Sequence, residues 1–352
     1  MRPAETRQAA LPARRTPWAV CAHQGDEGRA RQGRASAGCR RDGGVFVKRL
    51  RRLRSGDRIA LVAPASSFPH DEVAAGVAEL SRLGFEAIYD DSIFEKERFV
   101  AGSVETRVRA IHRAWQDPSI AALMAMRGGY GSAQLLPFLE PGILIENRKA
   151  LVGYSDLTAL LNLYLRNGLV AIHGPMVDRR LSKGPLAYDE VSFRKVMMQA
   201  EPAGDFTPMQ LEVLHPGIAR GVLLGGTLTQ LSVSLGTPWA CDPPAGSVFF
   251  IEDIGERPYR IHRMLNQLAQ GGMFAQAAAL IFGEFPGCTE PSGDPQIRDV
   301  LRDFTMDFGG PVLFNFPSGH TSGATWTLPF GVEVEVVSSP VPTVRILEPA
   351  VE

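Results

Sequence analysis

The chain has 352 residues, enough for two domains, and its hydrophobic fraction of 45% and charged fraction of 21% are typical of a folded protein with a substantial core. Its formal net charge is -1, so the composition does not indicate binding to nucleic acid or to an anionic membrane surface. We find no apolar run near the ~20 residues that a membrane-spanning helix needs.

The first 46 residues differ in composition from the rest. They are rich in Arg, Ala, Gly and Gln and show no hydrophobic periodicity. No apolar segment follows the basic start, which argues against a secretory signal peptide, although an Arg-rich, acid-poor leader is also typical of organelle transit peptides. We interpret 1–46 as a disordered tail or as upstream sequence outside the native reading frame, with Val47 as the alternative start.

From Gly56 onward, short apolar runs alternate with amphipathic helical patterns. Continuous apolar runs are typical of strands buried in a parallel sheet, and Ser103 and Gly84 are good helix caps. The predicted elements are strand 59–63, helix 71–83, strand 85–89, helix 103–115, strand 121–126, helix 132–139, strand 150–153, helix 157–167 and strand 170–173. This alternation predicts an α/β fold with a doubly wound parallel sheet.

The pattern weakens between 181 and 216, where Pro, Gly and polar residues increase, and we interpret this segment as a helix and a linker. The elements predicted after it are strand 221–224, helix 227–235, strand 248–252, helix 259–268, strand 278–282, helix 296–308, strand 312–316 and an antiparallel pair at 331–337 and 343–347. We therefore predict an N-terminal domain at 47–180 and a C-terminal domain at 217–352.

The cysteines have no metal-ligand spacing. The chain has four, Cys21, Cys39, Cys241 and Cys288, and no two of them form a CxxC pair. We therefore predict no metal site and a reducing, cytoplasmic compartment.

Polar residues directly follow three of the apolar strands, as Ser155, Glu252 and His320. Functional groups of open α/β sheets gather at the carboxyl ends of the strands. This shared location is the first reason to treat the three residues as one candidate site.

Ser155 occupies a strand–turn–helix junction, in which Gly153 leaves room for a sharp turn. Such a turn exposes a serine hydroxyl, and the following helix N-terminus favours a developing negative charge. The motif is only partly G-x-S-x-G, because Leu157 stands where the second glycine would be. The alternative is that Ser155 is simply the N-cap of the next helix.

A serine nucleophile needs a base, and His320 is the best candidate because it follows a strand among small residues. His173, which ends a strand beside Gly174, is the main rival, although a structural role fits it better. The remaining histidines of the body lie in predicted helices or loops, at His70, His112, His215 and His262.

Glu252 is the candidate partner that would orient the base. It ends an apolar strand, so its carboxylate is expected to be partly buried and paired. Asp253 would point to the opposite side by strand alternation. The alternative for Glu252 is a structural ion pair with Arg257 or Arg260.

The glycine-rich loop 127–131 also follows a predicted strand. It lacks the phosphate-binding patterns GxGxxG and GK[ST], but such a loop can donate an N–H group to an oxyanion, and Gly129 is our candidate. Arg127 could bind a free carboxylate in a bidentate manner, or it could be a solvent-facing charge.

Taken together, these motifs resemble the LD-carboxypeptidases of peptidase family S66, the muropeptide tetrapeptidases of bacterial cell-wall recycling. The matching segments occur in family order over 55–347 and nothing before Val47 matches. They are Gly56-Asp57-Arg58-Ile59, Ala63-Pro64-Ala65-Ser66, Arg127-Gly128-Gly129-Tyr130-Gly131, Gly153-Tyr154-Ser155-Asp156, His173-Gly174-Pro175-Met176, Gly225-Gly226-Thr227-Leu228, Ile251-Glu252-Asp253, Tyr259-Arg260-Ile261 and Gly319-His320. Each is weak alone, but the set is specific.

The resemblance implies a Ser-His-Glu triad of Ser155, His320 and Glu252. It implies an oxyanion hole formed by the backbone N–H groups of Asp156 and of the Gly-Gly loop that contains Gly129. It further implies a Rossmann-like parallel sheet domain, a second, smaller mixed β-rich α/β domain, and a homodimer without metal or organic cofactor.

The function implied is hydrolysis of the L-D amide bond to the terminal D-Ala of peptidoglycan-derived tetrapeptides. One alternative is an immunity-type relative that cleaves peptidyl or aminoacyl adenylate analogues, for which Trp239 could stack on the base. Another is a protein that binds muropeptides without cleaving them. A cysteine enzyme is less favoured, because neither Cys241 nor Cys288 follows a strand at a sharp turn.

Overall fold

A computed structural model describes residues 47–352 of the chain; the leader 1–46, with Cys21 and Cys39, lies outside the described residues. The helices are α1 (Asp71–Leu83), α2 (Val104–Gln116), α3 (Pro141–Asn147), α4 (Thr158–Arg166), α5 (Glu190–Met198), α6 (Leu228–Ser234), α7 (Pro258–Gln270) and α8 (Ile297–Phe304). Short 3-10 helices lie at Asp91–Phe94, Ser132–Phe138, Ser155–Leu157 and Leu181–Lys183.

The strands fall into two sheets. They are β1 (Arg58–Val62), β2 (Glu86–Ile88), β3 (Ile120–Ala125), β4 (Ala150–Gly153), β5 (Ala171–His173), β6 (Gly204–Phe206), β7 (Glu212–His215), β8 (Ile218–Thr227), β9 (Val248–Glu252), β10 (Ala279–Phe282), β11 (Val312–Phe314), β12 (Leu328–Phe330), β13 (Glu333–Val337) and β14 (Thr343–Ile346).

The first sheet has the strand order β12-β5-β4-β3-β1-β2. Strands β1 to β5 are parallel, as their apolar runs predicted, and β3 is buried along its whole length. The edge strand β12 is antiparallel to β5 and arrives from the C-terminal half of the chain, which the sequence patterns did not predict.

The second sheet has the order β6-β14-β13-β8-β9-β10-β11-β7. Its centre, β8 to β11, is parallel, whereas β6, β7, β13 and β14 pair in antiparallel fashion. The predicted fold class, a Rossmann-like parallel sheet followed by a mixed β-rich unit, is therefore confirmed. Within residues 47–352, every helix is too short or too polar to cross a bilayer.

The carboxyl ends of β4 and β9 and the segment after β11 carry the predicted site residues Ser155, Glu252 and His320. The chain from β11 to β12 crosses from the second sheet to the first, and His320 lies on this crossover. The fold therefore places the histidine where the two sheets meet.

Gly225 on β8 allows the two central strands of the second sheet, β8 and β9, to approach each other closely. Its φ is +139°, and a Cβ there would lie 1.8 Å from the carbonyl oxygen of Phe250 on β9. Gly246 also has a positive φ, of +77°, but a Cβ there would meet nothing within 4 Å.

We expect Gly225→Ala to lower the free energy of unfolding by about 4 kcal/mol or more, because the added methyl collides with backbone. The matched variant Gly246→Ala should lose only roughly 1–2 kcal/mol, the cost of the left-handed conformation alone. Equilibrium denaturation in urea measures both; equal midpoints for the two variants would contradict this account of the β8–β9 contact.

Candidate active site

Glu252 and His320 form a buried hydrogen-bonded pair. Oε2 of Glu252 lies 2.7 Å from Nδ1 of His320 and accepts the backbone N–H of the same residue at 2.9 Å. The other oxygen, Oε1, accepts from the hydroxyl of Thr227, the neighbour of Glu252 in the β8–β9 register. Because an ionised carboxylate only accepts, Nδ1 carries the proton, and Nε2 of the neutral ring is left to accept one.

Two glycines allow this close packing around the carboxylate. A Cβ at Gly319 would lie 2.7 Å from Cδ of Glu252, and one at Gly283 would lie 2.6 Å from its Cβ. The Glu252 side chain is 0% exposed, whereas that of His320 is 14% exposed. Solvent therefore reaches part of the imidazole but not the carboxylate.

The pair shifts the pKa values of both of its members. Burial opposes the negative charge of Glu252, yet the charge of His320 and its hydrogen bond hold the pKa of Glu252 well below its usual range. Burial likewise opposes the imidazolium of His320, but the carboxylate of Glu252 raises its pKa above the ordinary value. Both shifts favour a charged pair, so the carboxylate stabilises a proton on the imidazole.

The structure does not support the alternative ion pairs for Glu252. Arg257 contacts Glu290, and Arg260 lies 3.3 Å from Glu256. The neighbour Asp253 turns to the other side, as strand alternation predicts, where its carboxylate accepts from the N–H and the hydroxyl of Thr229.

Ser155 directly follows β4 in a strained turn. Its φ is +64°, a left-handed conformation that costs a non-glycine residue roughly 1–2 kcal/mol. Its side chain caps neither the 3-10 turn Ser155–Leu157 nor α4, so the simple N-cap explanation fails. A Cβ at Gly128 would lie 3.0 Å from Oγ of Ser155, so the glycine-rich loop packs directly against the hydroxyl.

Tyr154 connects this turn to the histidine. Its buried ring meets the ring of His320 edge-on, with centroids 5.0 Å apart and an interplanar angle of 82°. Because Tyr154 immediately precedes Ser155, the three sequence-predicted residues Ser155, Glu252 and His320 lie in one region of the molecule.

The N–H groups of Gly129 and Asp156 are available near Ser155. Neither donates a hydrogen bond within residues 47–352. Gly129 has a φ of +100°, and Ser66 holds the loop by accepting from the N–H of Tyr130 at 3.1 Å. The carboxylate of Asp156 is occupied elsewhere, since it accepts from the N–H of Ser132 at 2.7 Å.

Arg127 is engaged by a neighbouring carboxylate. Its Nε lies 3.3 Å from Oδ2 of Asp178, which is buried, while Arg127 itself is 30% exposed. A substrate carboxylate at Arg127 would therefore share the guanidinium with Asp178.

His173, the rival base, is fully buried, with Nδ1 3.0 Å from Oγ of Ser318. Burial lowers the pKa of His173 to about 4, which keeps the ring neutral. The neutral, fully buried ring fits a structural histidine, and its Nε2 has no hydrogen-bond partner among the described residues.

Two residues that contact the site were not singled out from the sequence. Thr227 bonds to Glu252, and Arg180 bonds to the segment that carries His320. Thr227 lies in Gly225-Gly226-Thr227-Leu228, one of the segments that carry the family resemblance, so the sequence contained a signal for it. Arg180 lies in none of these segments.

The described part of the chain offers no cluster of three or more His, Cys, Asp or Glu side chains suited to a metal ion. Burial raises the pKa of the Cys241 and Cys288 thiols to about 12, so neither is a ready nucleophile.

Comparison with known proteins gives matches across both halves of the chain. The model of the LD-carboxypeptidase N-terminal domain matches residues 59–174, and that of the LD-carboxypeptidase C-terminal domain matches residues 220–336. A murein tetrapeptide carboxypeptidase of Pseudomonas aeruginosa is 33% identical over 75% of this chain and 88% of its own length.

Solved structures resemble this fold closely. A muramoyltetrapeptide carboxypeptidase from Oxalobacter formigenes has a TM-score of 0.73 at 30% identity, covering 83% of this chain and 99% of that chain. The microcin C7 self-immunity protein MccF, in complex with aspartyl sulfamoyl adenosine, has a TM-score of 0.80 at 24% identity, covering 87% of this chain and 100% of that chain. The second likeness concerns the fold alone.

We expect the pKa of His320, followed by NMR, to lie above the ordinary 6.5 and to fall by about one unit or more in Glu252→Gln, because the amide removes the opposite charge. The matched control is Glu256→Gln, which removes a half-buried carboxylate of the next loop that pairs with Arg260 and should leave the titration of His320 unchanged. An unaltered midpoint in Glu252→Gln would show that the carboxylate does not set the charge of the imidazole.

Proposed function

The chain belongs to the LD-carboxypeptidase family of hydrolases, peptidase family S66, and on this premise we propose that it is a serine carboxypeptidase that removes the terminal D-Ala from peptidoglycan-derived tetrapeptides. The bond hydrolysed is the amide between an L-configured centre and D-Ala. The observation that carries this proposal is the hydrogen-bonded Glu252–His320 pair beside the strained turn of Ser155.

In the proposed mechanism, His320 accepts the hydroxyl proton of Ser155 at Nε2 while Oγ attacks the amide carbonyl. Glu252 holds the Nδ1 proton and stabilises the imidazolium, which agrees with the raised pKa of His320. The imidazolium then protonates the leaving amine of D-Ala. Water, activated by the same imidazole, releases the acyl group from Ser155.

The negative charge of the tetrahedral intermediate would be held by the N–H groups of Asp156 and Gly129. Both lack an acceptor within the described residues, and both lie in segments packed around Ser155. One such donor typically contributes about 3–4 kcal/mol to the transition state. Arg127, already turned toward Asp178, is the candidate to contact a carboxylate of the peptide.

Nothing in the structure favours the nucleotide-conjugate alternative over the tetrapeptide. Trp239, the aromatic residue considered for stacking on a base, is half-buried and packs against the core. The solved MccF structure shares the fold, and the MccF sequence of Escherichia coli is 28% identical to this chain, whereas the relatives at 30% identity or more include named murein peptide carboxypeptidases.

We further propose that the enzyme acts as a homodimer in the cytoplasm, in line with the usual assembly and recycling role of the family. Sedimentation equilibrium of the purified chain should give twice the chain mass of 38.2 kDa. A single species at the monomer mass at micromolar concentration would contradict the dimer.

Ser155→Ala should reduce release of D-Ala from a murein tetrapeptide by about 10⁶-fold in kcat, because the attacking oxygen is gone. Ser119→Ala, which truncates an exposed serine remote from the site, is the matched control and should retain full activity. Chromatographic detection of D-Ala measures both, with an aminoacyl adenylate analogue assayed in parallel.

Turnover in Ser155→Ala at the rate of the unmodified protein would show that Ser155 is not the nucleophile. Cleavage of the adenylate analogue without D-Ala release would favour the immunity-type function. Binding of the tetrapeptide with no hydrolysis by the unmodified chain would favour a muropeptide-binding protein.

A further inference from the structure

Arg180 is a buried cation at the end of a segment that is fixed to the first sheet. The segment follows β5, and the N–H groups of Val177 and Asp178 donate to the carbonyls of Ala125 and Met126 at the end of β3. Only 8% of Arg180 is exposed. Its backbone position is therefore set by the sheet that also carries Ser155.

The guanidinium of Arg180 binds the crossover that carries His320. Nη2 donates to the carbonyls of Gly319 at 3.0 Å and Thr321 at 3.2 Å, the residues on either side of His320. Nη1 donates to the carbonyl of Gly323 at 2.9 Å. Three carbonyls within five residues of backbone are thus held by one side chain.

The same guanidinium also reaches the turn of the candidate nucleophile. Its Nε donates to the hydroxyl of Tyr154 at 3.2 Å, and Tyr154 is the residue before Ser155. A final donor contacts the carbonyl of Ala187 at 3.3 Å. One cation therefore contacts both the Ser155 turn and the His320 crossover, which come from different sheets.

The bonding pattern of Arg180 is specific to arginine. All five N–H donors have an acceptor, and the geometry of the guanidinium fork fixes their relative directions. Within residues 47–352 no carboxylate forms an ion pair with it, so its charge is balanced mainly by carbonyl dipoles. Lysine has three donors on one flexible nitrogen and cannot reproduce this set.

We propose that Arg180 is a positioning residue that aligns His320 with Ser155 by binding the carbonyls on both sides of the histidine and the tyrosine before the serine. The inference rests on the proposed serine mechanism and adds the residue that fixes the Ser155 turn and the His320 crossover relative to each other. Displacing a reacting group by about 1 Å reduces an enzymatic rate about 100-fold, so loss of this alignment should lower kcat more than it changes KM.

A spectroscopic signature separates this role from general structural support. Burial lowers the pKa of His320, Glu252 and Asp253 raise it, and the charge of Arg180 lowers it. The ring of Tyr154 also packs edge-on against His320, and the buried His173, whose pKa burial lowers to about 4, adds no charge nearby. Removing the cation should therefore raise the pKa of His320 above that of the unmodified protein.

The test compares Arg180→Met and Arg180→Lys with Lys149→Met in the full chain. Lys149 is a matched control, because it is a buried cation that donates to the carbonyls of Ala114 and Asp117. Three quantities are measured for each folded variant: kcat and KM for D-Ala release, the rate of Ser155 labelling by a fluorophosphonate, and the pKa of His320 by NMR.

We expect Arg180→Met to lose about 100-fold in kcat and in labelling rate, with KM changed less than about threefold. Its His320 should titrate at higher pH. Arg180→Lys should keep the titration near that of the unmodified protein and still label at least about tenfold more slowly, because charge without the fork does not restore alignment. Lys149→Met should lose stability but not labelling rate.

A labelling rate in Arg180→Lys equal to that of the unmodified protein would overturn the inference, and this test holds even if Arg180→Met does not fold. A loss of labelling rate in Lys149→Met as large as that in the Arg180 variants would also overturn it. Failure of the proposed substrate is a separate outcome: the unmodified chain would then react with the fluorophosphonate at Ser155 and release no D-Ala. The labelling rates of the variants would still test the positioning role.

Discussion

Glu252 carries a negative charge where solvent does not reach it, at the carboxyl end of β9. A charge in such a place is costly unless it is paired and hydrogen-bonded, and the bonds from His320 and Thr227 meet that requirement. The pairing fixes the orientation of the imidazole, its tautomer and its raised pKa. The rest of the candidate site is arranged around a histidine that is prepared to take a proton.

The architecture explains how distant segments reach that histidine. Ser155 lies in the turn that follows β4 of the first sheet and Glu252 ends β9 of the second, while His320 lies on the crossover from β11 to β12. Small residues, such as Gly128 against Ser155 and Gly319 against Glu252, permit approach distances that a side chain would block. The positive φ of Ser155 is a local cost in stability that exposes the hydroxyl at this junction.

Local patterns predicted the parallel strands and the placement of Glu252 at the end of β9, because a buried strand is a continuous apolar run. Ser103 caps α2 as expected. His320 does not directly follow a strand as predicted, since β11 ends at Phe314 and the histidine lies on the crossover to β12. The strand β12 was missed, since a three-residue edge strand with a central proline has no periodic signal. Arg180 was missed because its acceptors are mostly backbone carbonyls more than a hundred residues away. Every residue has a backbone carbonyl, so the sequence of the accepting segment does not indicate that an arginine binds there.

The most direct test of the serine mechanism is a crystal structure of the protein after reaction with a fluorophosphonate. The serine mechanism predicts a covalent adduct on Oγ of Ser155, with one phosphoryl oxygen within about 2.7–3.1 Å of the N–H groups of Gly129 and Asp156. Nε2 of His320 should contact the adduct while Nδ1 keeps its bond to Glu252. An adduct on another residue, or a phosphoryl oxygen turned away from both N–H groups with His320 out of reach, would contradict it.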